Sequence, residues 1–237
     1  MLVASNLDRR TTRRNPRHPR PGRKAGSSKN ICWPLITAPP RDIFDAALDH
    51  GSSLVEASLH IVQPALYRVG RKWQVNQVSV AQEHLATAIA SMTMTRGLMK
   101  ADSLPLKNSR VLLACVQGNH RAVGLQMVAD AFQLDGWEMQ FLGANIPGTA
   151  LLSQIRAWQP HLLGLSVSFV QQLRVAKELL GQLRQEAGGA QPGVLVGGLA
   201  INRFEGLAAL VGADAWCADA AAAVLAGNRL VAERSVA

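Results

Sequence analysis

Residues 110–124 read RVLLACVQGNHRAVG, and this stretch decides the fold. The apolar run at 111–116 is typical of a strand that is buried on both faces. A glycine-containing turn at 117–119 ends the run, and apolar residues then recur at helical spacing. Ligands commonly bind at such a strand-to-helix turn in an open α/β sheet. We therefore predict a ligand site here, and its candidate residues are Gly118, Asn119, His120, Arg121 and Gly124.

Strands and helices alternate along the rest of the chain. Strand patterns lie near 110–116, 138–142, 161–167, 193–196 and 214–216. Helix patterns lie near 121–135, 149–158, 171–186, 202–211 and 219–227. This alternation predicts a parallel sheet with helices on both faces, and five strands suit the flavodoxin-like order 2-1-3-4-5.

Residues 41–100 carry helix patterns only. Pro64 should kink one of these helices, Gly70 should end it, and Trp73 should open a short further segment. Ser79, with Gln82 three residues later, has the pattern of a capping box for the last helix. Four short helices joined by tight turns predict a small bundle.

Together these patterns predict an α/β protein, with a four-helix-bundle cap followed by a flavodoxin-like five-stranded parallel sheet domain. The segment that joins the two parts is polar and contains a proline. We place a basic disordered tail at 1–37, the helical bundle cap at 38–101, the linker at 102–109 and a Rossmann-like domain at 110–237.

The net charge of +9 is concentrated in the tail, because residues 1–30 contain nine Lys or Arg and one Asp. Prolines and the lack of apolar periodicity predict disorder in this segment. Two interpretations stay open. The tail is either an electrostatic arm that contacts nucleic acid or another anionic surface, or a solvated extension without function.

Composition also bears on where the protein acts. The 237 residues contain no apolar run of about 18 residues that could cross a membrane, and no secretory signal pattern. The three cysteines are widely spaced and lack metal-ligand spacing. We therefore expect a cytoplasmic protein without membrane contact.

The loops after the third and fourth strands add small residues at the same edge of the sheet. Ser166 and Ser168 offer hydrogen bonds in little space, and Gly197 and Gly198 let a ligand approach the backbone. No HExxH, GxSxG, GxxxxGK or CxxC pattern occurs. We therefore expect a binding protein and not an enzyme.

At this point the chain resembles cobalamin-binding domains that carry a helical cap, and especially the light-sensing cobalamin-dependent transcription regulators of bacteria. The segments VQGNHRAVGLQMVAD, FLGANIP, SVS and VLVGGLAINR follow the order and spacing of that family. The family motif after strand one is Asp/Glu-x-His-x-x-Gly, whose His ligates cobalt from below. The resemblance implies that Ser166, Ser168, Gly197 and Gly198 hold the nucleotide tail of cobalamin.

The cap adds a second point of resemblance. Light-sensing members carry a Trp, nine residues and then Glu-His, placed over the upper face of the corrin. This chain has Trp73, nine residues and then Glu83 and His84. The resemblance therefore implies cobalamin as the cofactor, in its adenosyl form, and these three residues as part of its site.

Two positions depart from the family pattern. Counted back from Gly124, the position of the cobalt-ligating His holds Arg121, and His120 lies one residue early. A guanidinium stays protonated and cannot ligate cobalt. Either His120 reaches the metal through a local shift, or the lower axial site has no protein ligand. The second departure is Gln74, where light-sensing members often have a His.

The resemblance implies a cobalamin-binding sensory protein that responds to light and acts on transcription. Its partners would be the tetrapyrrole and a protein partner or a second copy of itself, with DNA contact through the basic tail. One alternative is a corrinoid methyl-carrier protein. Another is a degenerate domain that binds haem, a bilin or only a protein partner.

Overall fold

The computed structural model describes residues 39–185, 191–204 and 206–236. The tail predicted at 1–37 lies outside these ranges. Within them, no helix combines the length and the apolar character needed to span a membrane.

The first part of the described chain is a helical cap. Phe44, Leu54 and Met94 form its buried centre. At Gly97 the helices meet so closely that an added Cβ would lie 2.6 Å from a methyl group of Leu54. The cap consists of α1 (Pro39–Asp49), α2 (Leu54–Ala57), a π-helical segment (Ser58–Val62), α3 (Gln63–Gln74) and α4 (Val80–Leu98).

The second helical run is longer than its sequence pattern predicts. The π-helical segment joins α2 to α3 without a break, and it ends directly before Gln63 and Pro64. A proline lacks an N–H and crowds the carbonyl four residues earlier, so a wider turn relieves it. Gly70 does not end the helix, because one interior glycine costs only about 1 kcal/mol. Trp73 accordingly lies in the last turn of α3 and does not open a new segment.

An asparagine ends α3 instead of a glycine. Asn76 has a φ of 56°, in the left-handed region that asparagine tolerates. Its N–H donates to the carbonyl of Trp73 over 3.0 Å, and the N–H of Gln77 donates to that of Lys72 over 2.8 Å. These two bonds form a Schellman motif, which satisfies carbonyls at the end of the helix.

The capping box predicted for α4 is confirmed. The backbone N–H of Ser79 donates to Gln82 Oε1 over 2.9 Å, and the N–H of Gln82 donates to Ser79 Oγ over 3.2 Å. This pair satisfies two of the free donors at the helix start. It thereby fixes the first turn of α4, which carries Glu83 and His84.

The five-stranded parallel sheet is also confirmed, with the order β2-β1-β3-β4-β5. Its strands are β1 (Arg110–Val116), β2 (Glu138–Ile146), β3 (Leu162–Ser166), β4 (Gly193–Gly197) and β5 (Ala215–Trp216). The helices of this domain are α5 (Val123–Leu134), α6 (Gly148–Trp158), α7 (Leu173–Gln185), α8 (Leu199–Arg203), α9 (Leu207–Val211) and α10 (Ala220–Val236).

Two helix predictions in this domain are wrong, and glycines explain both. The helix predicted at 202–211 is two short helices, because Gly206 adopts a φ of 79° between them. The last helix continues to Val236 through Gly227. An added Cβ at Gly227 would lie 2.8 Å from Leu162 and 2.9 Å from Phe132. That glycine therefore permits close packing on the sheet and does not end the helix.

The sheet separates two cores. One face carries α6, α7, α8 and α9, and the other carries α5 and α10. The cap packs on the second face, where Met127 and Ala131 of α5 join the apolar cluster around Phe44 and Met94. Gln126 of α5 also accepts a 2.6 Å hydrogen bond from Ser91 Oγ of α4. The cap is thus anchored on α5, directly after the turn that the sequence marks as a ligand site.

Candidate functional site

A cleft of about 590 Å³ opens between the cap and the carboxyl ends of the strands. Helices α3 and α4 form one wall, and the loops after β1, β3, β4 and β5 form the other. Ten of the twelve site residues predicted from the sequence line it. They are Trp73, Glu83, His84, His120, Arg121, Gly124, Ser166, Ser168, Gly197 and Gly198.

The other two predicted residues, Gly118 and Asn119, build the loop below the cleft. Gly118 has a φ of 82°, which a glycine adopts without strain. Its N–H donates to Asn145 Oδ1 over 2.7 Å, and its carbonyl accepts a 2.8 Å bond from Gln172 Nε2. Gln172 Oε1 also accepts from the N–H of Ser168 over 3.0 Å. The loop after β1 is thereby fastened to the end of β2 and to the loop after β3.

Asn119 is completely buried and holds the same loop from inside. Its Nδ2 donates to the carbonyl oxygen of Ser166 over 2.9 Å and lies 3.3 Å from Ser166 Oγ. Its Oδ1 accepts the N–H of Arg121 over 3.1 Å. A carboxylate could accept from Arg121 but could not donate to a carbonyl. The residue at the family's acidic position therefore acts here as a structural amide.

Arg121 and His120 are both exposed at the lower side of the cleft. The guanidinium carbon of Arg121 lies 5.0 Å from the centre of the Phe169 ring, a cation–π distance. The described part of the chain contains no group of three or more His, Cys, Asp or Glu that could hold a metal ion. No cluster of side chains among the described residues would therefore hold a free metal ion, and His120 is the imidazole on this side of the cleft.

Gly164, which is absent from the sequence-based site prediction, gives the cleft its depth. It pairs with Leu113 of β1 on one side and with Leu195 of β4 on the other. All three line the cleft, and an added Cβ at Gly164 would lie 2.4 Å from Leu113 Cδ2. The missing side chain makes room for Leu113 Cδ2, and beside it the cleft reaches the backbone of β3, in a part of the cleft that we call the slot. In the sequence, the glycine inside the apolar strand LLGLS could have indicated that Gly164 lines the site.

Gly198 lets the backbone after β4 pack directly against the backbone of Val167, at the side of this slot. Its φ is 106°, and an added Cβ would lie 2.5 Å from the carbonyl oxygen of Val167. At Gly197 an added Cβ would lie 3.3 Å from Cys217 Sγ. Close backbone packing therefore requires the glycine at Gly198 and favours the one at Gly197, and both leave the end of β4 open to the cleft.

The cap wall is a helical stripe that begins before Trp73. Leu59, Gln63, Leu66, Gly70 and Trp73 follow at spacings of four, three, four and three, and all line the cleft. Trp73 is 38% exposed, so much of its ring is open to the cleft mouth. Only Trp73 of this stripe was predicted as a site residue. The same periodicity could have identified the others, but it is equally typical of a buried core face.

Glu83 and His84 form a pair on the first turns of α4. Glu83 Oε2 lies 2.7 Å from His84 Nδ1, and Thr87 Oγ1 donates to Glu83 Oε1 over 3.4 Å. Tyr67 of α3 lines the same wall and is also exposed. The cap therefore presents aromatic rings beside a hydrogen-bonding carboxylate and imidazole.

The cysteines near the cleft are poor metal ligands. Burial raises the pKa of the Cys217 thiol to about 12 and that of Cys115 to about 11. Cys217 lines the deep end of the cleft, close to Gly197. Only the thiolate binds metals well, so these thiols contribute apolar surface and not ligands.

Comparison with protein families gives two matches along this chain. A B12 binding domain model matches residues 109–226, which is the sheet domain. A second B12 binding domain model matches residues 41–96, which is the cap. Both the cleft wall and the sheet edge described above therefore lie within matched regions.

Two repressors are similar to this chain along most of its length. The HTH-type transcriptional repressor CarA of Myxococcus xanthus is 28% identical over 185 residues, which are 76% of this chain and 61% of the repressor. The HTH-type transcriptional repressor CarH of the same organism is 30% identical over 172 residues, which are 72% of this chain and 52% of the repressor. The chain thus spans little more than half the length of these relatives.

A solved structure supports the fold. The monomethylamine corrinoid protein of Methanosarcina barkeri aligns with a TM-score of 0.68 and 17% identity, over 80% of this chain and 90% of that one. At this level of identity the likeness concerns the fold alone, and it agrees with the helical cap and the five-stranded sheet.

Proposed function

Since this chain belongs to the family of B12-binding domains, we propose that it binds adenosylcobalamin in the cleft and acts as a light-responsive regulator of transcription. The main support for this proposal is the shape of the cleft. An aromatic wall on the cap faces a glycine-lined slot in the sheet, centred on Gly164, Gly197 and Gly198. A large planar ring with a narrow tail fits such a site, and a compact ligand would leave the slot empty.

The residues of this chain divide into those above and those below the ring. Trp73, Glu83 and His84 on the cap would pack against the upper ligand. Ser166 and Ser168, with the two glycines after β4, would hold the nucleotide tail. When bound, adenosylcobalamin supplies a cobalt–carbon bond that light can cleave. The protein's part is to hold the group, exclude water and sense the change in the upper ligand.

The lower side of the cleft does not fit a histidine-ligated cobalt. The backbone N–H of Arg121 bonds to Asn119, and its guanidinium lies over Phe169. Among the described residues the His120 ring makes no hydrogen bond and lies on an exposed loop, so it lacks the second-shell partner that usually orients a ligating histidine. We propose that the cobalt has no protein ligand on its lower face.

The regulatory proposal is supported by the similarity to the two repressors, which extends over both the cap and the sheet domain. A methyl carrier is the weaker alternative, because carriers depend on the lower His for redox tuning of cobalt, and because Trp73, Glu83 and His84 follow the pattern of the light-sensing members. The light response, a homo-oligomer or protein partner, and DNA contact through residues 1–37 all belong to this proposal.

The deciding experiment is a binding spectrum. Purified protein is mixed in the dark with adenosylcobalamin, hydroxocobalamin or haem, desalted, and its visible spectrum is recorded before and after illumination. We expect adenosylcobalamin to be retained, and the elution volume to change after light. Loss of all corrin absorbance on desalting would overturn the proposal, and retention of haem alone would favour the degenerate-domain alternative.

Two variants test whether retention of adenosylcobalamin depends on the cleft. Trp73→Ala removes the larger ring of the aromatic wall and should weaken retention of adenosylcobalamin about tenfold or more, because aromatic groups that become buried against a ligand dominate such contacts. Leu104→Ala, at an exposed position of the linker, is the matched control and should retain the ligand fully. If both variants lost adenosylcobalamin equally, the cause of the loss would lie outside the cleft.

A further inference from the structure

A second cleft lies beside the first, toward the C-terminal half of α4. It also measures about 590 Å³, and it runs between α4, α5 and the edge strand β2. Ser91 lines both clefts, but the second is otherwise formed by different residues. We call it the Asp130 groove, and its lining residues are Ser91, Met92, Thr95, Arg96, Met99, Gln126, Ala129, Asp130, Met139 and Phe141.

Asp130 lies in this groove as a buried acid without a partner. It is 6% exposed, and its Oδ2 is the one buried side-chain nitrogen or oxygen in the described residues that makes no hydrogen bond. Burial raises the pKa of Asp130 to about 6, so the group is largely ionised at pH 7.5. An ionised carboxylate that is shielded from water and unpaired is costly, and a cation would compensate it.

The other polar side chains of the groove are engaged elsewhere. Gln126 accepts from Ser91 Oγ and donates to Thr95 Oγ1 over 3.3 Å. Arg96 forms an ion pair with Asp45 of α1. Since each of these groups already has a partner, Asp130 is the acceptor in the groove that an incoming cation would find unpaired.

The walls of the groove are apolar and accessible. Met92 is 54% exposed and Met99 is 84% exposed, and Phe141 of β2 closes the opposite side. Methionine side chains adapt their shape to what they contact. Such walls suit the methylene stem of a Lys or Arg, whose charged end would reach an acid at the bottom.

The edge strand β2 adds a way to bind a polypeptide. In the described sheet β2 pairs with β1 on one side only, so backbone groups on its outer side are free to pair. Met139 and Phe141, which line the groove, belong to this strand. A partner segment could therefore pair along β2 while one of its side chains enters the groove.

We propose that the Asp130 groove is a docking site for a segment of a partner protein, which inserts a Lys or Arg side chain between Met92, Met99 and Phe141 to pair with Asp130. This proposal is independent of cobalamin binding, because the corrinoid cleft lies along the other half of α4. It follows from the charge complementarity between an unpaired buried carboxylate and a cation with an apolar stem.

The test uses two probe peptides and the full-length protein. Acetyl-Leu-Val-Arg-Val-Leu-amide carries the cation, and the same peptide with citrulline in place of Arg keeps the shape without the charge. Binding is measured by calorimetry at pH 7.5. We expect the Arg peptide to bind about tenfold or more tightly than the citrulline peptide, as one buried ion pair would give.

Two variants connect any preference to the groove. Asp130→Asn keeps the shape and should abolish the preference for the Arg peptide. Met92→Lys places a cation of the chain's own beside Asp130 and should weaken the Arg peptide about tenfold. Asp102→Asn, at an exposed linker position, is the control and should change nothing. Circular dichroism checks that each variant is folded.

Each contrary outcome overturns the proposal. Equal affinity for the two peptides, or a preference that survives in Asp130→Asn, would mean that the carboxylate does not select a cation. No binding of either peptide up to about 1 mM, which corresponds to about −4 kcal/mol, would leave Asp130 as a hydrated acid only. A dimer of wild-type protein that Asp130→Asn dissociates would identify the occupant as a second copy instead.

Discussion

The side-chain amide of Asn119 joins two strands at the sheet edge, because it donates to the carbonyl oxygen of Ser166 over 2.9 Å. The same side chain accepts the N–H of Arg121 over 3.1 Å. One buried residue therefore sets the position of the loop after β1 relative to the end of β3. The lower side of the cleft depends on this bond, since His120 and Arg121 follow Asn119 directly in the chain.

Asn119→Asp should destabilise the protein. The change replaces a donor with a carboxylate that faces the carbonyl oxygen of Ser166 in a fully buried position. Leaving such groups unpaired costs about 1–3 kcal/mol, and more for a charge. We expect the free energy of unfolding in urea to fall by about 3 kcal/mol at pH 7.5.

Asn108→Asp is the matched control for this change, because Asn108 lies exposed in the linker. Its free energy of unfolding should stay within about 0.5 kcal/mol of wild type. If Asn119→Asp were equally neutral, the amide would not be what holds the two loops together.

Arg121→His tests whether a histidine at this position can ligate cobalt from the lower side of the cleft. We expect wild type and His120→Ala, each loaded with hydroxocobalamin, to have the same visible spectrum. Arg121→His should shift that spectrum toward nitrogen ligation. Loss of the Arg121–Phe169 contact should cost about 0.5–1 kcal/mol of unfolding free energy, as exposed cation–π pairs do. A changed spectrum in His120→Ala would show instead that His120 ligates the metal.

Gly164→Val should close the slot. The new side chain overlaps Leu113, which must move into the cleft. Overpacking of this kind costs about 1–3 kcal/mol of unfolding free energy. Retention of cobalamin on desalting should fall about tenfold or more, as for a ligand excluded from a buried subsite. Gel filtration with absorbance at two wavelengths measures bound corrin per protein.

Gly181→Ala in α7 is the comparison variant, because an added Cβ there meets no atom within 4 Å. It should raise the free energy of unfolding by about 0.5–1 kcal/mol through helix propensity, and leave cobalamin retention unchanged. Reduced retention in this variant would mean that the assay reports stability and not the slot.

Asp130 should make the stability of the protein depend on pH. Burial raises the pKa of its carboxyl from 3.8 to about 6, so the folded state favours the protonated form. Its contribution is therefore fully present below about pH 4 and is lost as the pH rises through about 6. Asp130→Asn should raise the free energy of unfolding at pH 8 by up to roughly 3 kcal/mol and at pH 4 by nearly nothing. Urea titrations of both proteins at the two pH values measure this difference, and an equal effect at both would contradict it.

The sequence predicts the central strands well, because burial on both faces gives them continuous apolar runs. The run at 111–116 is apolar at every position, and the structure buries every one of these side chains. The order of the strands follows from the alternation with helices, which leaves few arrangements. The capping box at Ser79 was likewise readable, since its two bonds lie within four residues.

The errors concern glycines and prolines whose effect depends on tertiary contacts. Gly70 looks like a helix stop, but Asn76 carries the left-handed turn that ends α3. The helix predicted near 219–227 continues through Gly227, which serves the close approach of α10 to Leu162 and Phe132. A single sequence does not say which neighbour a missing side chain makes room for. For the same reason Gly164 was missed as the base of the slot.

The π-helical segment Ser58–Val62 acts as a phase shift of one residue in the cap. A π turn holds one residue more than an α turn, so each later side chain is rotated by about 100° relative to an uninterrupted helix. Leu54 and Ala57 before it therefore face the cap core, while Tyr67 and Trp73 after it line the cleft. A chain shorter by one residue in this segment would keep every aromatic group of the wall and yet turn Trp73 away from the cleft. The length of the π-helical segment thus determines which face of α3 lines the cleft.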